Sequence, residues 1–132
     1  AYASKAISLQ PAMSPAHALA GQLSFQMGDL KSASSYFAKA IQLGNSDISI
    51  REMHGMVLLN LGKANDALKQ FDLVLQISDR RPISLSGKAI ATALLGNPDE
   101  ALRILAAAKT KFPNDPNIER AWKSVLNMKA SR

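Results

Sequence analysis

Two histidines, His17 and His54, are the only side chains in this 132-residue chain whose ordinary pKa suits general base work at neutral pH. Such a base needs a nucleophile, a second acid or a metal set beside it, and no serine or carboxylate is spaced to supply one. The chain has no cysteine, which removes a thiolate nucleophile, a thiolate metal site and a disulfide framework. Cysteine absence suits reducing and oxidising compartments equally, so localisation is not readable. Lys63 follows Gly62 as a phosphate-loop lysine would, but the second glycine and the following Ser or Thr are missing. Neither an HExxH motif nor a catalytic carboxylate pair occurs. Both histidines read as packing residues, and the chain reads as a non-enzyme with no cofactor or metal.

Charge is the next candidate for chemistry. The formal net charge is +6, and it is unevenly placed. Residues 1–79 carry six bases and six acids, whereas residues 80–132 carry ten bases and four acids, so the whole surplus lies in the last two-fifths. A nucleic-acid surface would gather those bases on one face with stacking aromatics between them. Only Phe112 and Trp122 lie in that stretch, both at core positions, and the bases spread over helices and turns alike. Nucleic acid is therefore disfavoured, and an acidic protein or anionic membrane remains as an alternative partner. No apolar run reaches the length of a membrane-spanning helix. The N-terminus has no basic stretch leading into an apolar run, so it does not read as a signal peptide.

The elements that hold these residues repeat. Apolar residues make up 47% and charged residues 20%, ordinary for a globular domain, and the length suits a single one. Displaced by 34 residues, the sequence falls into columns: Gly28, Gly62 and Gly96; Ala33, Ala67 and Ala101; Phe37, Phe71 and Leu105; Gly21, Gly55 and Ala89. Pro11, Asn45, Asp79 and Pro113 mark the unit ends with turn-forming residues. Each unit reads as two helices. The stretch from Ile48 is apolar over most of its circumference, and Gly62 stops it; from Ala64 to Ile77, Leu68, Phe71, Val74 and Leu75 fall at helical spacings. Asp29 and Asn97 are placed to cap second helices, and Asp115 followed by Pro116 opens a last one. No alternating strand pattern occurs.

These columns resemble the tetratricopeptide repeat, a helix–turn–helix unit of the same period. The small residue at its eighth position is Gly21, Gly55 or Ala89; the alanine at its twentieth is Ala33, Ala67 or Ala101; the aromatic at its twenty-fourth is Phe37 or Phe71. Ala6, Ala40 and Ala108 match its twenty-seventh position, where Val74 departs, and Asn45 and Asp79 stand where proline is usual. The fourth and eleventh positions lack their aromatics. The resemblance implies an all-α, right-handed α-solenoid of antiparallel helix pairs with a C-terminal capping helix. Residues 1–132 form one domain. Residues 1–13 are the second half of a truncated repeat, 14–47, 48–81 and 82–115 are three full repeats, and 116–132 are the cap. The exposed edge at Tyr2, Ala3 and Ile7 invites self-association.

In this family, first-helix positions two, five, nine, twelve and thirteen line a concave groove. That implies Ala18, Gln22, Phe25 and Gln26 in the first repeat, Glu52, Met56, Leu59 and Asn60 in the second, and Ser86, Ile90, Ala93 and Leu94 in the third. Arg120, Ser124 and Asn127 would follow on the cap. Apolar anchors with interspersed amides suit a peptide or helix. Chaperone co-factors of this family grip a C-terminal carboxylate with a basic clamp; the matching places here hold Ala18, Gln22, Met56 and residues near Ile83 and Gly87, none basic. The expected function is thus a protein-interaction scaffold. The phrasing of the repeats resembles bacterial members that serve envelope, pilus or secretion assemblies. The alternative is an accessory segment of a larger enzyme or machine.

Overall fold

The computed structural model describes residues 14–131, and the self-association edge foreseen at residues 1–13 lies outside them. Among the described residues there are seven α-helices and no strand: α1 (Ser14–Gln26), α2 (Leu30–Gln42), α3 (Ile48–Asn60), α4 (Ala64–Ile77), α5 (Pro82–Leu94), α6 (Pro98–Lys111) and α7 (Pro116–Ala130). Helices pack as the pairs α1–α2, α3–α4 and α5–α6, and each pair packs on the next through α2–α3 and α4–α5. The last helix, α7, lies against both α5 and α6. The result is an all-α solenoid in which α1, α3, α5 and α7 are the first helices of successive units.

Local chemistry sets the helix ends. Gly62 has φ of 78°, and Lys63 N–H behind it donates to the Leu58 carbonyl at 2.9 Å while Gly62 N–H donates to Leu59 at 3.1 Å. This closes α3 with a left-handed residue that only glycine adopts without strain. The same bonds recur at the ends of α1 and α5. Asp29 and Asn97 then cap α2 and α6 by accepting from the Ser32 and Glu100 N–H groups, while Lys63 gives α4 no side-chain cap. Asp47 and Asp115 cap α3 and α7.

Within the stack, Ala33, Ala67 and Ala101 are fully buried, as are Phe37, Phe71 and Leu105. The glycines beside the two phenylalanines have no room for a methyl group. A Cβ on Gly21 would lie 2.6 Å from the Phe37 ring, one on Gly55 2.9 Å from Phe71, and one on Gly87 2.3 Å from Phe71. Phe71 is thus seated between the backbones of α3 and α5 and joins two units. The third unit has Ala89 where the others have glycine, and there the aromatic is replaced by the slimmer Leu105.

The cap is docked by apolar and charged contacts together. Ile118, Ala121 and Val125 are buried with Leu105 and Ala108. Lys109 Nζ sits 4.5 Å from the centre of the Trp122 ring, and Lys129 pairs with Asp99 at 2.7 Å. Among the described residues, no helix is long and apolar enough to cross a membrane.

The Ala89–Leu105 pairing makes a testable statement about Gly55 and Phe71. Gly55→Ala gains about 1 kcal/mol of helix propensity but overpacks Phe71 at a cost of about 1–3 kcal/mol. In urea denaturation, Gly55→Ala/Phe71→Leu should be more stable than the sum of the single changes by about 1 kcal/mol. Strict additivity would mean that the ring does not rest on the Gly55 backbone.

Candidate functional site

A groove of about 310 Å³ crosses α3, α5 and α7. The C-terminal half of α3 contributes Met56, Leu59 and Asn60. From α5 come Ile83, Ser86, Gly87 and Ile90, and from α7 come Asn117, Arg120, Ala121 and Ser124. The groove runs diagonally, entering the late turns of α3 and the early and middle turns of the next two first helices. Its floor over Gly87 rests on Phe71, whose ring fills the space that a side chain there would need. The packing that joins the units therefore also shapes the groove.

Of the residues that repeat position places on a concave surface, seven come together here: Met56, Leu59, Asn60, Ser86, Ile90, Arg120 and Ser124. Ile83 and Asn117 occupy position two of their units, one of the family's groove positions. Gly87 and Ala121 stand at the sixth position, for which the resemblance gives no signal; they line the wall because they are too small to fill it.

The first-repeat residues lie elsewhere. Ala18 is buried in the cluster around Phe37, and Phe25 packs against that cluster. Gln22 is half-buried and Gln26 exposed, and neither lines the groove. Leu94 is 51% exposed at the end of α5, over a separate depression formed with Leu95 and the start of α4. Ala93 is buried and Asn127 exposed.

Glu52 requires a correction. It is only 7% exposed, and its carboxylate turns into the joint between α3 and α5 instead of towards the groove. Arg81 Nη2 donates to Oε1 at 3.1 Å and Arg81 Nε to Oε2 at 3.4 Å, while the Ser84 hydroxyl donates to Oε2 at 2.6 Å. Arg81 also reaches Ser49 Oγ at 3.3 Å. A forked arginine and a buried hydroxyl together satisfy a carboxylate that would otherwise be costly to bury. Repeat periodicity carries no sign of this network, because Arg81 ends one unit and Glu52 begins it.

The histidines are packing residues in geometry. His54 lies edge-on to Phe37 with ring centres 6.3 Å apart, and His17 is 6.4 Å from the Tyr36 ring. Burial, then repulsion from Arg51, holds the His54 pKa below its usual value, against a smaller opposing pull from Asp66. Among the described residues, no group of three metal-ligating side chains converges.

Residues 14–46 match the tetratricopeptide repeat family. Among curated protein sequences none matches the chain. The fold is similar to that of YrrB, described as a TPR protein with an unusual peptide-binding site: TM-score 0.83, 23% identity, over 99% of this chain and 68% of that one. A tetratricopeptide repeat protein from Parabacteroides merdae is similar with TM-score 0.84 and 18% identity, over 97% of this chain and 50% of that one. The first TPR of Spaghetti (RPAP3), bound to the HSP90 peptide SRMEEVD, is similar with TM-score 0.73 and 14% identity, over 89% and 95% of the two chains.

Two expectations follow from the buried groups. Glu52→Ala leaves Ser84 and Arg81 without their acceptor and should lower unfolding stability by about 2–3 kcal/mol, read from urea denaturation. An effect within about 0.5 kcal/mol, typical of a surface change, would show the network contributes nothing. The depressed His54 pKa gives pH dependence of one sign. Well above the ordinary value of about 6.5 the imidazole is neutral folded and unfolded, so its contribution is fully present. As pH falls from there through the folded pKa, the unfolded chain takes up a proton that the folded chain resists, and stability is lost. The fall in Tm between pH 7.5 and pH 5.5 should be smaller in His54→Gln than in the parent, and equal slopes would rule His54 out.

Proposed function

We propose that this chain, whose residues 14–46 match the tetratricopeptide repeat and whose fold is similar to that of solved repeat proteins, is a non-catalytic scaffold that takes a segment of a partner protein into the groove across α3, α5 and α7. One observation carries the reading: side chains from three successive first helices, separated by whole repeats in sequence, share one concave surface with Met56, Leu59, Ile83 and Ile90 among its walls. A single partner segment laid there would meet all three helices at once. Asn60 and Asn117 each offer an amide that can donate to and accept from a peptide backbone. Met56 adjusts to anchors of different shape. That YrrB is described as having a peptide-binding site, and that the Spaghetti domain holds an HSP90 peptide, supports a peptide as the class of partner.

The basic surface is the competing location. Arg103 and Lys109 lie on α6, away from the groove residues, and each already has an acidic partner: Glu100 at 2.6 Å and Glu119 at 4.0 Å. Their charges are largely met within the chain.

The test sets two double variants against each other on peptides selected from a displayed random library. Leu59→Ala/Ile83→Ala should weaken binding on the order of tenfold to a thousandfold, since each anchor contributes about 1–2 kcal/mol. Arg103→Glu/Lys111→Glu, at two α6 bases whose ion pairs do not hold α7, should leave it within about threefold. The opposite pattern, with both variants folded by circular dichroism, would move binding to the basic surface.

A further inference from the structure

The two joints between units are built differently. Between the second and third units, Phe71 sits on bare backbone at both Gly55 and Gly87. The ion pairs Asp72–Lys88 and Asp79–Lys111 cross that boundary, and the Ser84 hydroxyl donates across it to Glu52. Between the first and second units, no Lys or Arg pairs with a carboxylate among the described residues. Phe37 has its glycine seat, Gly21, on its own partner helix; across the boundary Met53 stands at the sixth position, where the third unit has Gly87. The ring therefore meets side chains there. Met53 packs against the Phe37 cluster, and His54 stands edge-on to the ring with centres 6.3 Å apart.

His54 thus brings an ionisable group to a joint otherwise held by the apolar packing of Phe37, Ala40, Ile50 and Val57. The residue is 7% exposed, and its Nδ1 is shut away from solvent with no hydrogen-bond partner among the described residues. A neutral imidazole can leave one nitrogen as a bare acceptor, whereas the protonated ring carries two N–H donors and a charge that must find partners or water. The surroundings do not meet that need. From α2 the ring faces Phe37. On its own helix Arg51 repels a positive charge, and from α4 Asp66 attracts one more weakly, so burial and Arg51 together resist the proton. The Glu52 carboxylate lies two residues back, on another side of α3, and is engaged by Arg81 and Ser84.

We propose that the joint between α2 and α3 is an acid-sensitive hinge: protonation of His54 releases α1–α2 from α3 and leaves α3–α7, with the groove, stacked. Opening lets water solvate the imidazolium, which the closed joint does not. Units of a solenoid touch only their neighbours, so parting one joint leaves the others in place. The sign is fixed by the same reasoning. Neutral His54 keeps the joint closed at high pH, and opening grows as the pH falls. The other buried titratable groups act elsewhere: His17 lies within the first unit beside Tyr36, and loss of the Glu52 charge would loosen α3 from α5.

The experiment is amide hydrogen exchange of the full chain at pH 7.5 and pH 5.5, corrected for the intrinsic pH dependence of exchange and read helix by helix. The parent, His54→Gln and His17→Gln are compared. In the parent, the amides of α1 and α2 should lose protection at the lower pH while those of α5, α6 and α7 keep theirs. That loss should vanish in His54→Gln and persist in His17→Gln. A measurement on the parent alone covers the case in which His54→Gln does not fold. The His54 ring signal, followed by NMR, should titrate with the same midpoint as the loss of protection in α1–α2. The hinge is overturned by unchanged protection at pH 5.5, by equal loss in every helix, or by loss centred on the α3–α5 joint. Loss that survives His54→Gln or disappears in His17→Gln overturns it too, as does a His54 ring that titrates without any change in α1–α2.

Discussion

Two helices can lie closer together than their side chains ordinarily permit only where one of them presents bare backbone, and in this chain an aromatic ring uses that opening. Phe37 rests on Gly21; Phe71 rests on Gly55 and, across the unit boundary, on Gly87. The double seat of Phe71 matters most. It ties α4 both to its own partner α3 and to α5 of the next unit, so the angle between units is set by a ring held between two backbones. An individual helix pair has no means of burying its second apolar face, and stacking is what completes the core. Where the glycine becomes Ala89, the ring becomes Leu105, and the volume at the joint is conserved.

The groove depends on the same contact. Gly87 has no side chain because Phe71 occupies its space from below, and that bare stretch of α5 is also part of the groove wall. Met56 and Leu59 pack against the Phe71 cluster on one side and face the groove on the other. A surface built this way is positioned by core packing rather than by loops, so its walls are in place before a partner arrives, which reduces the ordering cost of binding.

Ion pairs tie successive elements of the solenoid together. Glu52, Arg81 and Ser84 form a buried joint between α3 and α5, and Lys129–Asp99 and Lys109–Glu119 fasten α7 across α6. The exposed pairs are individually weak. Their collective effect is to pair off most of the basic surplus of the C-terminal region.

Much of the architecture is legible in the sequence because the repeat is a local code. The columns of Gly28, Gly62 and Gly96 end first helices through a backbone conformation that other residues resist, Asp29 and Asn97 cap the second helices, and the Ala and Phe columns mark the close contacts. These features act over a few residues, so period and residue type suffice to place seven helices among the described residues. Position within the repeat also selects which first-helix side chains share a side, and Met56, Leu59, Ser86, Ile90 and Arg120 do meet in one groove. Tertiary structure alone decided the rest. Glu52 occupies the same repeat position as Ser86 and Arg120, yet turns inward because Arg81, twenty-nine residues on, supplies a forked counter-charge and Ser84 a hydroxyl. Phe25 and Ala18 belong to the Phe37 cluster for the same kind of reason. A periodic pattern records what each unit has in common, whereas the fate of a polar or partly buried side chain depends on which neighbours the stacking brings to it, and those neighbours differ from one joint to the next.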